Sequence, residues 1–353
     1  MGAAMTCASP TAGDLADEVL ARLAEYRDLV RPTLLEILPA REPKRHLYDL
    51  IRVFLERPGK GLRPALCIAT CTAFGGREQD AVPTAAALEL LHNALLVHDD
   101  VEDESEYRRA EPTLHSTNGV PIAINAGDAM NALTLGLLMK NRALVGASAT
   151  WRILEEFHHL LLESLEGQAI ELGWIQDNDC TVGEDDYLRM ILKKTCWYSF
   201  IHPCRLGALI AGQESLDRFN RFGFLTGAAF QIQDDLLNLT GNGSRYGKEI
   251  DGDLWEGKRT LILAHAMSRA EPRDRARIEQ TLAKPRKRRL QREIDWMHAL
   301  LTETGSLDHA ARAARELAQG AMQEFEIAYA DAPESADKSF LRKLVSYVVD
   351  RDL

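Results

Sequence analysis

Two short acidic stretches carry the residues best suited to chemistry. DDVED at 99–103 begins a run of six carboxylates, Asp99, Asp100, Glu102, Asp103, Glu104 and Glu106, with Arg108 and Arg109 just beyond. QDDLLN at 233–238 ends a second apolar run. On a helix, Asp99 and Asp103 lie four residues apart and Asp100 and Asp103 three apart, which puts carboxylates one turn apart on one face. Asp234 and Asp235 stand in the same relation to Asn238. Like charges so spaced repel by ~0.2–0.5 kcal/mol per pair on an exposed helix. Water can solvate such a run, or a hard cation can sit within it. Oxygen donors without His or Cys suit Mg2+, which keeps several waters and shares its shell with substrate phosphates. Two such boxes facing one pocket need cations and a polyanion between them.

Partners for a polyanion are present. Lys60 and Arg63 lie in GKGLRP, Lys193 and Lys194 in LKKTCW, Lys248 in YGKEID and Lys258 in EGKRT. Each alone reads as an ordinary solvated cation. Gly59, Gly247 and Gly257 stand beside three of the lysines and would let backbone approach a phosphate. Arginine suits bidentate contact and lysine a point charge.

The elements that must position these groups are helices. Apolar residues recur at three and four from Leu15 to about Val53, and ERPGKGLRPAL then makes a turn into a helix over 65–74. A long helix is expected from Val82 to about Asp103, apolar nearly all round at 84–98 and therefore central to the core. Others are expected near 123–142, 148–172, 184–212, 215–240 and 257–269, with two or three more after Pro272. No fixed-period repeat and no strong strand is evident. The expectation is a loose segment at 1–14 and one all-α domain over 15–353.

The totals agree. Of 353 residues, 46% are hydrophobic and 27% charged, an ordinary globular composition able to bury a full core. A net charge of −11 argues against general nucleic-acid binding. Cys7, Cys67, Cys71, Cys180, Cys196 and Cys204 form no CxxC or zinc spacing and read as free thiols of a reducing compartment. The start MGAAMT fits a loose acylation pattern, and no signal peptide or membrane-spanning run is expected. A cytoplasmic protein follows.

In combination, GKGLRP, ELLHNALLVHDDVEDESEYRRAEPTLH, INAGDAM, GQAIE, LKKT, FQIQDDLLN and GKEIDGDLWEGKRT resemble the trans-isoprenyl diphosphate synthases, or polyprenyl synthetases, from about Pro58 to the C-terminus. Within that family the chain is most similar to geranylgeranyl diphosphate synthases. The resemblance implies an all-α bundle around a deep cavity, a homodimer, and elongation of an allylic diphosphate (dimethylallyl, geranyl or farnesyl) by isopentenyl diphosphate. It implies Mg2+, three ions bound with the allylic substrate. Asp99, Asp103 and Asp234 would be direct ligands, with Asp100, Asp235 and Asn238 assisting. Arg108, Lys194, Gln231, Lys248 and Lys258 would hold the allylic diphosphate, and Lys60, Arg63, His92 and Arg109 the isopentenyl diphosphate. Gln168, Thr195 and the Lys194 carbonyl would lie near the allylic cation. Asn238, Glu171 and Ala110 stand where the family more often has Asp, Asp and Gly; none removes a required chemical group.

In the family, aromatic residues four or five before the first box shorten the product. Here those places hold Leu95 and Ala94, with Leu91 and Leu88 deeper, and C20 geranylgeranyl diphosphate is the expected product. C25 or longer remains open. Trp197 and Tyr198 read as packing residues, His158–His159 as lacking an acidic co-ligand, and KPRKRR (284–289) as a solvated face, with an anionic membrane or partner contact second. Two rivals remain: a class I terpene cyclase, which needs only one diphosphate, and a non-catalytic partner subunit, which would be expected to lose a box.

Overall fold

The computed structural model describes residues 12–57, 59–241 and 250–350. Most of the expected loose segment, Cys7 and Lys248 therefore lie outside the described residues. The helices are α1 (Ala12–Glu36), α2 (Asp49–Glu56), α3 (Leu62–Ala73), α4 (Glu78–Glu102), α5 (Leu114–Asn118), α6 (Val120–Leu144) and α7 (Gly146–Gln176). They continue as α8 (Glu184–Ile191), α9 (His202–Ile210), α10 (Arg218–Thr240), α11 (Gly252–Glu256), α12 (Leu261–Arg269), α13 (Pro272–Leu282), α14 (Gln291–Glu303), α15 (Ser306–Ala328) and α16 (Ala336–Asp350). The all-α expectation holds.

Three boundaries differ from the periodicity. The first helical stretch breaks after Glu36, because Pro39 and Pro43 cannot supply helical N–H groups. The helix expected at 257–269 starts only at Leu261, where the Thr260 hydroxyl accepts from the Leu263 N–H at 3.3 Å; Gly257–Arg259 form a loop. Past α4, a two-stranded hairpin pairs β1 (Tyr107–Arg108) with β2 (Glu111–Pro112) around Arg109 and Ala110.

The helix expected at 184–212 is continuous to Ile210 but widens to π geometry over Leu192–Ile201. Pro203 follows and has no N–H to return to the preceding turn. Glycines let this wide segment pack closely. A Cβ on Gly167 of α7 would lie 2.3 Å from the Lys194 nitrogen, and one on Gly223 of α10 would lie 2.6 Å from Ile201 Cγ1. The turn carrying Lys194 and Thr195 is thereby pressed between α7 and α10.

One core joins α1, α3, α4, α6 and α9 to the C-terminal helices, with Phe219, Phe222, Phe325 and Tyr329 packed ring against ring. A second gathers Tyr187, Ile232, Leu261 and Met297 from α8, α10, α12 and α14. Each such buried large apolar side chain contributes roughly 1.5–3 kcal/mol. α10 takes part in both cores, which fixes the second acidic box against the first half of the molecule. The described cysteines are free thiols, four of them buried. α6 is long and apolar enough, by length and composition, to cross a membrane; here it packs against α4 and α7 within the bundle.

Candidate active site

The last turns of α4 point the first box in two directions. Asp99 faces a cavity of about 470 Å3, whereas Asp100 is buried beneath it. Arg108, itself buried, donates from Nε to Asp100 at 2.7 Å and reaches Asp99 at 3.4 Å from Nη2. Burial opposes the Arg108 charge, but Asp100 and Asp99 outweigh it and raise its pKa. Arg108 therefore lines the cavity while holding the box together. Asp103 caps α4 and turns to Lys258, 2.8 Å away, whose ammonium also meets Glu256 at 2.7 Å. Burial pushes the Asp103 carboxyl up, with Lys258 pulling it down.

α10 brings the second box to the same cavity. Asp234 lines the cavity. Asp235, buried, accepts from the Tyr187 hydroxyl at 2.6 Å and from Gln231 Nε2 at 2.8 Å. Gln231 Oε1 in turn accepts from Thr195 Oγ1 at 3.0 Å. Between the boxes stands Lys194, paired with Glu171 and 3.6 Å from Asp99. Burial works against the Lys194 charge, yet Glu171 and Asp99 raise its pKa and keep it protonated. Gln168 donates to Glu102 at 2.6 Å beside it.

A second, cationic region of the same cavity is lined from α3, α4 and the hairpin. Arg63 stacks over the Tyr198 ring at 4.3 Å and donates to the Tyr198 and Ser199 hydroxyls at 2.7 and 2.8 Å. Arg109 lies against Gly59, where a Cβ would come within 3.0 Å of its guanidinium. Lys60 and His92 complete the lining. Burial, then the charges of Arg63, Arg109 and Arg108, hold the His92 pKa well below its ordinary value, so its ring is neutral. His92 Nδ1 is buried without a hydrogen-bond partner among the described residues.

The donor set fits magnesium. The facing groups are carboxylates, and among the described residues no three His, Cys, Asp or Glu side chains converge closely enough to hold an ion alone. An ion here would complete its shell with water and phosphate oxygens, as Mg2+ does. Lys194 lies near Asp99 and Lys258 near Asp103, but each lysine also pairs with a second carboxylate, Glu171 and Glu256 respectively.

Several expectations need correction. Asn238 is not turned to the cavity: its side-chain oxygen accepts from the Asp253 N–H at 3.0 Å and its carbonyl from the Asp251 N–H at 3.0 Å, which caps α11. Asp100 is likewise committed, to Arg108. Leu88, Leu91 and Ala94 are buried in the main core, and the apolar lining that α4 gives the cavity is Leu95 and Leu96. Relative to Asp99, Leu91 is turned by about 80° and Ala94 by about 140°, while Leu88 lies about 16 Å deeper. Tyr198 is more than packing. The basic run at 284–289 is largely engaged, and His159 does have an acidic neighbour, through His202 Nε2 at 3.0 Å and on to Glu156 at 2.9 Å. Tyr187, which holds Asp235, was not foreseen; its signal was a polar tip seven residues, two turns, before Lys194.

The polyprenyl synthetase family model matches residues 44–299. The chain is 33% identical over 328 residues to the geranylgeranyl pyrophosphate synthase of Geoglobus acetivorans, covering 92% of this chain and 96% of that protein. Its fold superposes on geranylgeranyl pyrophosphate synthetase from Pyrococcus horikoshii Ot3 with a TM-score of 0.83 and 32% identity, over 95% and 99% of the two chains. It also matches geranylgeranyl pyrophosphate synthase from Corynebacterium glutamicum, complexed with isoprenyl diphosphate and magnesium, with a TM-score of 0.79 and 25% identity, over 96% and 99%.

Proposed function

The chain belongs to the polyprenyl synthetase family and is a prenyltransferase, and from that premise we propose that it condenses isopentenyl diphosphate head to tail with an allylic diphosphate to give geranylgeranyl diphosphate. The observation that carries this is one cavity with two unlike polar regions, a carboxylate-and-lysine region and an arginine-rich pocket, above an apolar wall. A cyclase acting on one diphosphate has no need of the second pocket, and a partner subunit has no need of both boxes.

Asp99, Asp103 and Asp234 would hold magnesium, three ions with the allylic substrate, and Asp235 would assist from its anchored position. Bound magnesium supplies positive charge to the departing diphosphate. Arg108, Lys194, Lys258 and Gln231 bind the same diphosphate. Lys248 belongs with them by its place in the motif. Lys60, Arg63 and Arg109 hold isopentenyl diphosphate, with neutral His92 offering a ring nitrogen rather than a charge. When the allylic C–O bond breaks, the bonding pair leaves with diphosphate. Thr195 Oγ1, the Lys194 carbonyl and Gln168 Oε1 offer oxygen dipoles to the allylic cation. The isopentenyl double bond attacks that cation, and the released diphosphate takes the proton then lost. Leu95, Leu96 and Phe230, which line the cavity, would exclude water that would quench the cation.

Exposed apolar side chains on α6 and α7, among them Met139 and Trp151, each 64% exposed, support burial against a second copy in a homodimer. The free thiols support a reducing, cytoplasmic setting. A C25 or longer product is the second reading, favoured by the absence of Leu88 and Leu91 from the cavity lining.

The test is a product assay with Mg2+, isopentenyl diphosphate and dimethylallyl, geranyl or farnesyl diphosphate supplied separately, read by mass spectrometry. A C20 diphosphate from these primers is expected, with Asp99→Ala and Asp234→Ala each lowering turnover at least ~100-fold. Hydrocarbon formed without isopentenyl incorporation would make the protein a cyclase.

A further inference from the structure

The run Lys284–Arg289 links α13 to α14 and folds back onto α11. Arg289 is buried, and its guanidinium donates to the carbonyls of Leu254 (3.1 Å), Trp255 and Leu282 (2.9 Å). It thus takes up carbonyls that the last turn of α11 leaves unpaired. Its guanidinium also lies against Gly257, where a Cβ would meet Nη2 at 2.8 Å. Gly257 has φ +78°, so the backbone entering Lys258 needs glycine both for its conformation and for this contact.

Arg286 acts on the same lysine by another route. Its Nη1 is 3.4 Å from Glu256 Oε1, while Glu256 Oε2 is 2.7 Å from Lys258, which reaches Asp103 at 2.8 Å. Arg286, Glu256 and Lys258 are each less than one-fifth exposed, so these charges are only partly screened. The outer pair, Lys287 with Glu104 at 3.0 Å, is 84% and 57% exposed and contributes little. Lys284 pairs with Glu293. A membrane-binding surface needs about four or more clustered free cations. With Lys284, Arg286 and Arg289 engaged, this run does not present them.

We propose that Arg286 and Arg289 are positioning residues for Lys258, forming a strap that sets how firmly this lysine is held away from the allylic diphosphate. The proposal rests on the synthase reading of the site. Arg289 fixes the backbone before Lys258. Arg286 shares the Glu256 carboxylate and so loosens its grip on Lys258. Without Arg286, Glu256 would hold the ammonium more firmly beside Asp103, and the diphosphate would lose a partner.

Steady-state kinetics with both substrates, melting temperatures, and calorimetric titration of inorganic diphosphate with Mg2+ test this on the full chain. Arg286→Gln should raise KM for the allylic diphosphate about five-fold or more, leave KM for isopentenyl diphosphate unchanged, and weaken diphosphate binding by a similar factor. Adding Glu256→Gln to that variant should restore most of the loss, as should Arg286→Lys in place of the Gln change, which a merely structural role would not produce. Arg288→Gln, at an exposed position, should behave as wild type. Unchanged allylic KM in Arg286→Gln, an equal shift in both KM values, or no rescue by Glu256→Gln would overturn the strap while the synthase reading stood. A wild-type chain that neither elongates a primer nor binds diphosphate would overturn both.

Discussion

Arg109 and Ala110 show how single residues hold the first box in place. Both have positive φ, +57° and +61°, as a two-residue hairpin of type I′ requires. That conformation costs a non-glycine residue ~1–2 kcal/mol, and the greater freedom of glycine in the unfolded chain offsets part of the relief. Ala110→Gly is therefore expected to stabilise the protein by about 0.5–1 kcal/mol, measured as a raised urea midpoint at unchanged slope. His92 gives a pH dependence whose sign follows from its burial. The unfolded ring takes up a proton below about pH 6.5, whereas the folded ring resists it. The unfolded state then binds more protons, so stability is fully present above that pH and falls as pH drops through and below it. Each such histidine contributes a slope of up to about 1.4 kcal/mol per pH unit. Replacing His92 by Gln should flatten denaturant-derived stability between pH 6 and 5. His202, also lowered by burial, would leave a residual slope.

At the scale of elements, α4 is both core helix and cavity wall, and one residue of rotation separates the two roles. Its cavity face carries His92, Leu95, Leu96, Asp99 and Glu102. Leu91, one position from His92, is 1% exposed and packed in the core. The same aromatic change should therefore act differently at the two leucines. Leu95→Phe should narrow the cavity and shift product toward C15 with little change in melting temperature. Leu91→Phe should overpack the core, costing ~1–3 kcal/mol with product length little altered. Product mass spectra and thermal melts on both variants separate the cases; equal shortening by both would move the wall to Leu91.

For the whole molecule, the cavity opens within a bundle whose α6–α7 side is unlike the rest. Leu135 and Met139, four apart on α6, are 54% and 64% exposed, and Trp151 and Leu162 on α7 are exposed as well. An apolar face of this kind suits a second copy of the chain. Light scattering should give twice the chain mass, and Leu135→Glu with Met139→Glu should give the monomer mass. Wild-type protein that stays monomeric at assay concentration would remove the dimer from the proposal.

The sequence by itself determined the helical class, the two carboxylate boxes on helix ends, the oxygen-only donor set and the cations around it, because periodicity and residue chemistry are local. It also carried the family, since motifs in a fixed order span most of the chain. What it left open was which member of each box faces the cavity. Spacing fixes the angle between Asp99 and Asp100 on α4 but not how α4 is rotated against its neighbours. That rotation is set by packing against α6 and by side chains far along the chain. Only the tertiary structure buried Asp100 under Arg108, gave Asn238 to the α11 backbone, turned Leu91 into the core, and brought Tyr187 to Asp235. It likewise drew Arg286 and Arg289 onto the loop of Lys258, a contact across about thirty residues that no helical period records.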